Sequence, residues 1–67
     1  MNMNLLRYHM GEHGDNQTTL AKGINMSQSA LSERMNGNID FRKNEMEAIR
    51  KRYDLNAEDM QAIFFAH

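Results

Sequence analysis

The chain has no cysteine, no proline, no tryptophan and no valine in its 67 residues. Without cysteine, neither a disulfide framework nor a thiolate zinc site can form. That absence fits a reducing cytoplasm, which is the expected location. Without proline, no residue forbids a helix from continuing. β-Branched residues are also scarce: four isoleucines and two threonines. Strands favour such residues, so an all-α fold is expected. No apolar run approaches the ~20 residues of a membrane span. The opening Met1-Asn2-Met3-Asn4 has no charged stretch with a long apolar one behind it, and is not expected to be a signal peptide. A Gly-rich phosphate loop, a His-Glu-x-x-His pattern and a nucleophile elbow are all missing. Neither an enzyme nor a cofactor is expected from a chain with so little volume for a pocket.

What is present fits one small domain, residues 1–67, around one core. A chain of this size buries only about 60% of its unfolded surface, so its stability should be marginal. The formal net charge is −1, low for a nucleic-acid binder, whose affinity draws on phosphate neutralisation. The distribution is more informative than the total. Residues 16–43 carry Lys22, Arg34, Arg42 and Lys43 against Glu33 and Asp40, a net of +2. Residues 54–67 carry Asp54, Glu58 and Asp59 with no lysine or arginine, a net of −3. The middle is basic and the C-terminal end acidic.

Five short helices account for the apolar spacing. The first covers 4–13, with Leu6 and Met10 on one face, and Gly14 ends it. Asp15 or Asn16 caps a second over 17–22, which buries Leu20 and Ala21. Gly23-Ile24-Asn25-Met26 breaks the pattern, and Gly and Asn are the residues that tolerate positive φ, so a tight turn is expected with Ile24 plugging the core. Ser27 caps a third helix over 28–35, with Leu31 and Met35 inward, and Asn36-Gly37-Asn38 ends it. Ile39 and Phe41 anchor the next connection. A fourth helix over 43–53 buries Met46, Ile49 and Tyr53. Asn56, with Asp59 three residues on, reads as a capping box opening a fifth helix over 57–66, which buries Met60, Ile63 and Phe64.

The informative stretch is 17–37. Two short helices flank a turn of about four residues. Leu20, Ala21 and Leu31 let them cross closely, because Ala21 is small. The outer face of the second carries Gln28, Ser29, Ser32 and Glu33, which are short or amide-bearing groups rather than the Lys/Glu mix of an ordinary solvated face.

In order, Asn16-Gln17, Leu20-Ala21, Ile24, Ser27-Gln28, Leu31-Ser32 and Asn36-Gly37 resemble the helix-turn-helix of the lambdoid phage repressor and Cro family. The resemblance continues through Asp40-Phe41, Met46, Ile49, Leu55 and Asn56-Ala57-Glu58-Asp59, and so covers nearly the whole chain. It departs at three places. Asn25 stands where the family often has Gly. Arg34 stands where an apolar residue is frequent, so that Met35 must take the packing role. Met10 and Met35 stand where some members bury an Arg–Glu pair, and an apolar substitute for such a pair is often neutral or better.

The resemblance implies a compact five-helix, lambda-repressor-like DNA-binding domain. It further implies a sequence-specific transcription regulator of a phage or other mobile element. Its third helix, about 28–35, would enter the major groove of a double-stranded operator. Gln28, Ser29, Ser32 and Glu33 would then read bases, with Gln28 suited to adenine N6 and N7 and Glu33 to cytosine N4. Asn16, Gln17, Ser27 and Asn36, at helix ends, would contact phosphates. Arg42 and Lys43 sit where the helix macrodipole disfavours cations, which marks them as a phosphate clamp. Arg34 is a further candidate DNA contact. The expected assembly is a homodimer, formed in solution or only on DNA, with Phe64 and Phe65 as candidate dimer contacts and half-sites about 34 Å apart.

A second reading stays open: a protein-interaction module on the same scaffold, an antitoxin or anti-repressor that masks a partner protein. The net charge, Glu33 and an exposed Phe65 suit it. His9 and His13, four apart on one helix face, read as a half-buried pair rather than metal ligands, because no third ligand is evident. Arg50-Lys51-Arg52 fans around a helix axis and reads as a solvated face.

Overall fold

The computed structural model describes residues 1–65, which form five α-helices and no strand. α1 spans Met3–Glu12, α2 Gln17–Gly23, α3 Gln28–Met35, α4 Lys43–Tyr53 and α5 Ala57–Met60. A π-helical segment, Gln61–Phe65, continues α5. The expected fifth helix therefore changes pitch after one turn, and Ala66, its expected end, lies outside the described residues. The wider π turn brings neighbouring side chains closer together around the axis, so Ile63 and Phe64 both go inward while Phe65 stays out.

Short polar side chains begin four of the helices. The carbonyl oxygens of Asn2, Asn16 and Asn56 and the hydroxyl of Ser27 each accept the backbone N–H three residues on, at 2.8–3.1 Å. Asp59 returns the bond to the Asn56 N–H at 3.3 Å, closing the expected capping box. α4 alone has no side-chain N-cap, since Arg42 occupies that place.

One device ends α1, α2, α3 and α4. A left-handed residue follows the helix: Gly14 (φ 70°), Asn25 (φ 60°), Gly37 (φ 80°) and Asp54 (φ 51°). The N–H after it then reaches back five residues, Asp15 to Met10, Met26 to Ala21, Asn38 to Glu33 and Leu55 to Arg50, at 2.8–3.0 Å. This is the Schellman arrangement. It lets the chain reverse within three or four residues, so every helix can present its apolar face to the same centre.

That centre holds Leu6 and Met10 from α1, Leu20 and Ala21 from α2, Leu31 and Met35 from α3, and Ile49 and Tyr53 from α4. Phe41, Leu55, Ile63 and Phe64 complete it, and Ile24 and Met46 pack at its edge. Phe41 and Phe64 meet edge to face at 5.2 Å. Ile39 does not anchor the connection as expected: it is 46% exposed, and Phe41 fills the core alone. The ends of the described chain are tied together by the Asn2 N–H, which donates to the Ile63 carbonyl at 2.6 Å. The radius of gyration, 10.7 Å, matches the ~11 Å of a compact chain of this length, so no element stands apart.

Candidate functional site

α2 and α3 are joined by residues 24–27 and pack against each other through Leu20, Ala21 and Leu31. Asn25 takes the strained position of the turn, the one where glycine is common in the family that the sequence resembles. Gly23 is needed for a different reason. A Cβ there would lie 2.0 Å from Arg52 Nη1, so the bare backbone makes room for a guanidinium from α4.

The rotation of α3 follows from its buried residues. Leu31, Arg34 and Met35 face the interior. Gln28, Ser29, Glu33 and the cap residue Asn36 are exposed, and Ser32 is partly so. The four expected base-reading residues thus share one outward face. Glu33 forms no ion pair among the described residues. The Asn36 amide leans on the Ser32 hydroxyl at 3.4 Å.

The head of α3 meets the head of α2. Gln28 Nε2 donates to Thr18 Oγ1 at 2.6 Å, and both side chains are exposed. Of the expected phosphate residues just before Thr18, Asn16 is exposed and Gln17 partly buried. Asn16 Oδ1 is engaged as the α2 cap, which leaves its amide N–H groups to donate outward. Ser27 is likewise engaged through its oxygen and keeps its O–H.

Arg34, expected as a DNA contact, is instead buried: it is 8% exposed, and its guanidinium donates twice to Glu45, Nε to Oε1 and Nη2 to Oε2, each at 3.2 Å. Glu45 Oε1 also accepts the Arg42 N–H at 2.8 Å, which supplies the start of α4 with the partner that the Arg42 side chain cannot give. Burial alone would raise the Glu45 carboxyl, but the Arg42 amide and the Arg34 guanidinium outweigh it and hold the pKa below the ordinary value. One carboxylate therefore locks α3 to the start of α4.

Arg42 and Lys43 are exposed there and form no ion pair among the described residues. With Arg34 neutralised, residues 16–43 keep Lys22, Arg42 and Lys43 against Glu33 and Asp40, a surplus of one. The basic run at 50–52 is largely neutralised too. Arg50 pairs with Glu47 and Arg52 with Asp15, leaving Lys51.

The expected aromatic pair divides. Phe64 lies in the core, 8% exposed, and offers no surface for the expected dimer contact, whereas Phe65 is 51% exposed. His9 is partly buried and His13 exposed, the latter resting on the Tyr53 ring at 4.9 Å. No cluster of three or more metal-ligating side chains occurs among the described residues. No described helix is long and apolar enough to cross a membrane.

Two features escaped the sequence reading. One is the Thr18–Gln28 bond, since an exposed threonine in a first helical turn carries no signal of a partner ten residues on. The sequence marks Asp15 only as a candidate helix cap, yet it gathers Arg52, Tyr53 and Thr19 around one carboxylate. Comparison with known proteins finds no family model, no curated protein and no solved structure that matches this chain.

Proposed function

We propose that this chain is a sequence-specific binder of double-stranded DNA, a Cro-like or repressor-like transcription regulator with α2, the 24–27 turn and α3 as its helix-turn-helix. The observation that carries the reading is the outer face of α3. Gln28, Ser29, Ser32 and Glu33 project together from a helix whose opposite side is fixed by Leu31, Met35 and the Arg34–Glu45 pair. A row of short polar groups on a rigid rod suits base edges in a major groove. Asn16, Gln17, Ser27 and Asn36 at helix ends, with Arg42 and Lys43, would hold the phosphates. The bound form is a homodimer on a two-fold symmetric operator, with exposed Phe65 as its candidate contact.

The small cationic surplus sets the scale of the electrostatics. Lys22, Arg42 and Lys43 predict a log–log salt slope of about −2 to −3 per bound copy. Equilibrium binding to random-sequence duplex at low and moderate salt tests this. A slope of that size supports the reading, and absence of binding at both salts overturns it.

A second reading rests on Glu33 and Phe65, an exposed acid with no ion pair among the described residues and an exposed aromatic. Under it the chain is an interaction module, an antitoxin or anti-repressor that masks a partner protein. Duplex-independent behaviour at both salts favours that alternative.

A further inference from the structure

A buried ion pair adds little to stability, because desolvating two charges cancels much of their attraction. Arg34 and Glu45 are such a pair, each 8% exposed and joined by two bonds of 3.2 Å. Two packed apolar side chains would hold the core as well. They would not do the second thing that Glu45 does. Its Oε1 also accepts the Arg42 N–H at 2.8 Å, so one carboxylate fixes both a side chain of α3 and the backbone that opens α4. Where some members of the resembled family bury an Arg–Glu pair, between α1 and α3, this chain has Met10 and Met35. Its own pair ties α3 to α4 instead.

The two ends of that tie differ in kind. The face of α3 opposite Arg34 carries Gln28, Ser29, Ser32 and Glu33, the proposed base readers. Beyond the Arg42 N–H stand the exposed Arg42 and Lys43, the proposed phosphate clamp. Between the two helices the chain runs through 36–42, where only Phe41 is buried. The covalent link therefore leaves the offset between them to Phe41 and Glu45.

We propose that Arg34 and Glu45 are positioning residues for sequence discrimination: they hold the base-reading face of α3 and the phosphate clamp of α4 at one fixed offset, so that both engage DNA at once. Random duplex requires only the phosphate contacts, with no base edge to be met in register. An operator requires both sets together, each base contact at hydrogen-bond distance. The pair therefore adds to operator affinity and leaves random-duplex affinity alone. Its charges cancel, so it adds nothing to the salt slope.

The inference rests on the DNA-binding reading, and the experiment separates the two. Sites are selected from a randomised duplex pool, and affinities for selected and random duplexes are then compared. The chains are the wild type, Arg34→Met with Glu45→Met, Arg34→Met alone, and Ile63→Val, with thermal unfolding recorded for each. The double variant removes the tie and keeps the net charge. Arg34→Met alone frees α3 while Glu45 stays on the Arg42 N–H, and it decides the point if the double variant does not fold. Ile63→Val loosens the core with the pair intact. In both pair variants the ratio of operator to random affinity should fall about ten- to a hundredfold, the discrimination of one or two base pairs. The loss should spread over every base position of the half-site, because the whole helix shifts. Random-duplex affinity and salt slope of the double variant should stay within about twofold. Ile63→Val should lower the unfolding temperature and leave the ratio unchanged.

A wild type that enriches nothing overturns the DNA-binding reading and this inference with it. A wild type with a motif, whose ratio survives in a folded pair variant, overturns the inference alone. A loss confined to one base position would make the pair a brace for a single side chain, and would also overturn it. So would a ratio that falls equally in Ile63→Val, which would report general loosening.

Discussion

Arg52 holds Asp15 through two parallel hydrogen bonds, Nε to Oδ2 and Nη2 to Oδ1, each 2.8 Å long, across 37 residues of sequence. The pair joins the end of α4 to the loop before α2. The Tyr53 hydroxyl donates to the same carboxylate at 2.6 Å and the Thr19 hydroxyl at 2.9 Å, so Asp15 accepts four bonds in all. Arg52 is the largest cause that holds its carboxyl well below the usual range; burial opposes, and Tyr53 and Thr19 add to the lowering. For Tyr53 burial comes first and the carboxylate second, and both push the phenol up.

Replacing Asp15 by Ala should cost about 2–3 kcal/mol, below the 3–5 of a fully buried pair, because Arg52 is partly solvated. The side chains are 34% and 7% exposed for Arg52 and Asp15. The pH dependence has a fixed sign. A carboxyl lowered by folding stabilises the protein above its unfolded value, about 3.9, and loses that contribution as pH falls through the folded value. Denaturant unfolding from pH 6 down to ~2 should therefore show stability falling below pH about 4. In Asp15→Asn that acid limb should be shallower. An unchanged limb would remove Asp15 as its source.

Gly23 depends on the same contact. Gly23→Ala removes a flexible residue near a helix end, a change that alone favours the helix by up to about 1 kcal/mol. The new Cβ would collide with the Arg52 guanidinium, which must leave Asp15 to make room. The expected net effect is destabilisation by about 1–2 kcal/mol. With Arg52→Ala already present, Gly23→Ala should become neutral or stabilising. Chemical denaturation of the four chains gives the coupling directly.

The Arg34–Glu45 pair predicts another non-additive set. Glu45→Ala should cost about 3 kcal/mol or more, because it leaves a buried guanidinium unpaired and the Arg42 N–H without its acceptor. Arg34→Met together with Glu45→Met should recover much of that loss, since a packed apolar pair replaces two desolvated charges. Unfolding midpoints of the single and double variants decide the point.

Lys43 tests the electrostatics apart from the base contacts. Lys43→Ala should weaken binding to all duplexes alike and reduce the salt slope by about 1. Competition between selected and random duplexes should show an unchanged ratio. A changed ratio would move Lys43 from the phosphates to a base.

The local signals in the chain were the legible ones. α3 and α4 lie at their expected residues, and α1 and α2 within one residue at each end. Gly14, Asn25 and Gly37 marked three helix ends because few residue types take positive φ without strain. Asp54 fills the same position after α4, but aspartate visits that region too seldom to be read as a stop. Ile39 reads as a core residue yet lies outside, because hydrophobicity does not say which of two nearby apolar residues the core admits. The π turn was invisible because Met60, Ile63 and Phe64 give one spacing for either pitch.

The site was read unevenly for the same reason. Leu31 and Met35 fix the face of α3 by spacing alone, so Gln28, Ser29 and Glu33 pointed outward as expected. Arg34 lies on the inward side of that same spacing. Its acceptance there depends on Glu45, eleven residues away, a pairing no local pattern reveals. Arg52 with Asp15 and Gln28 with Thr18 are non-local in the same sense, and they needed the folded chain.

The most direct test is residue-by-residue mapping of backbone amide chemical shifts while random-sequence duplex is added at low salt. The largest changes should fall at Gln28, Ser29, Ser32 and Glu33, with a second group at Asn16, Gln17, Thr18, Arg42 and Lys43, and little at Tyr8. Changes confined to the exposed aromatics, Tyr8 of α1 or Phe65, with α3 unmoved, would contradict a reading helix and place the binding surface elsewhere.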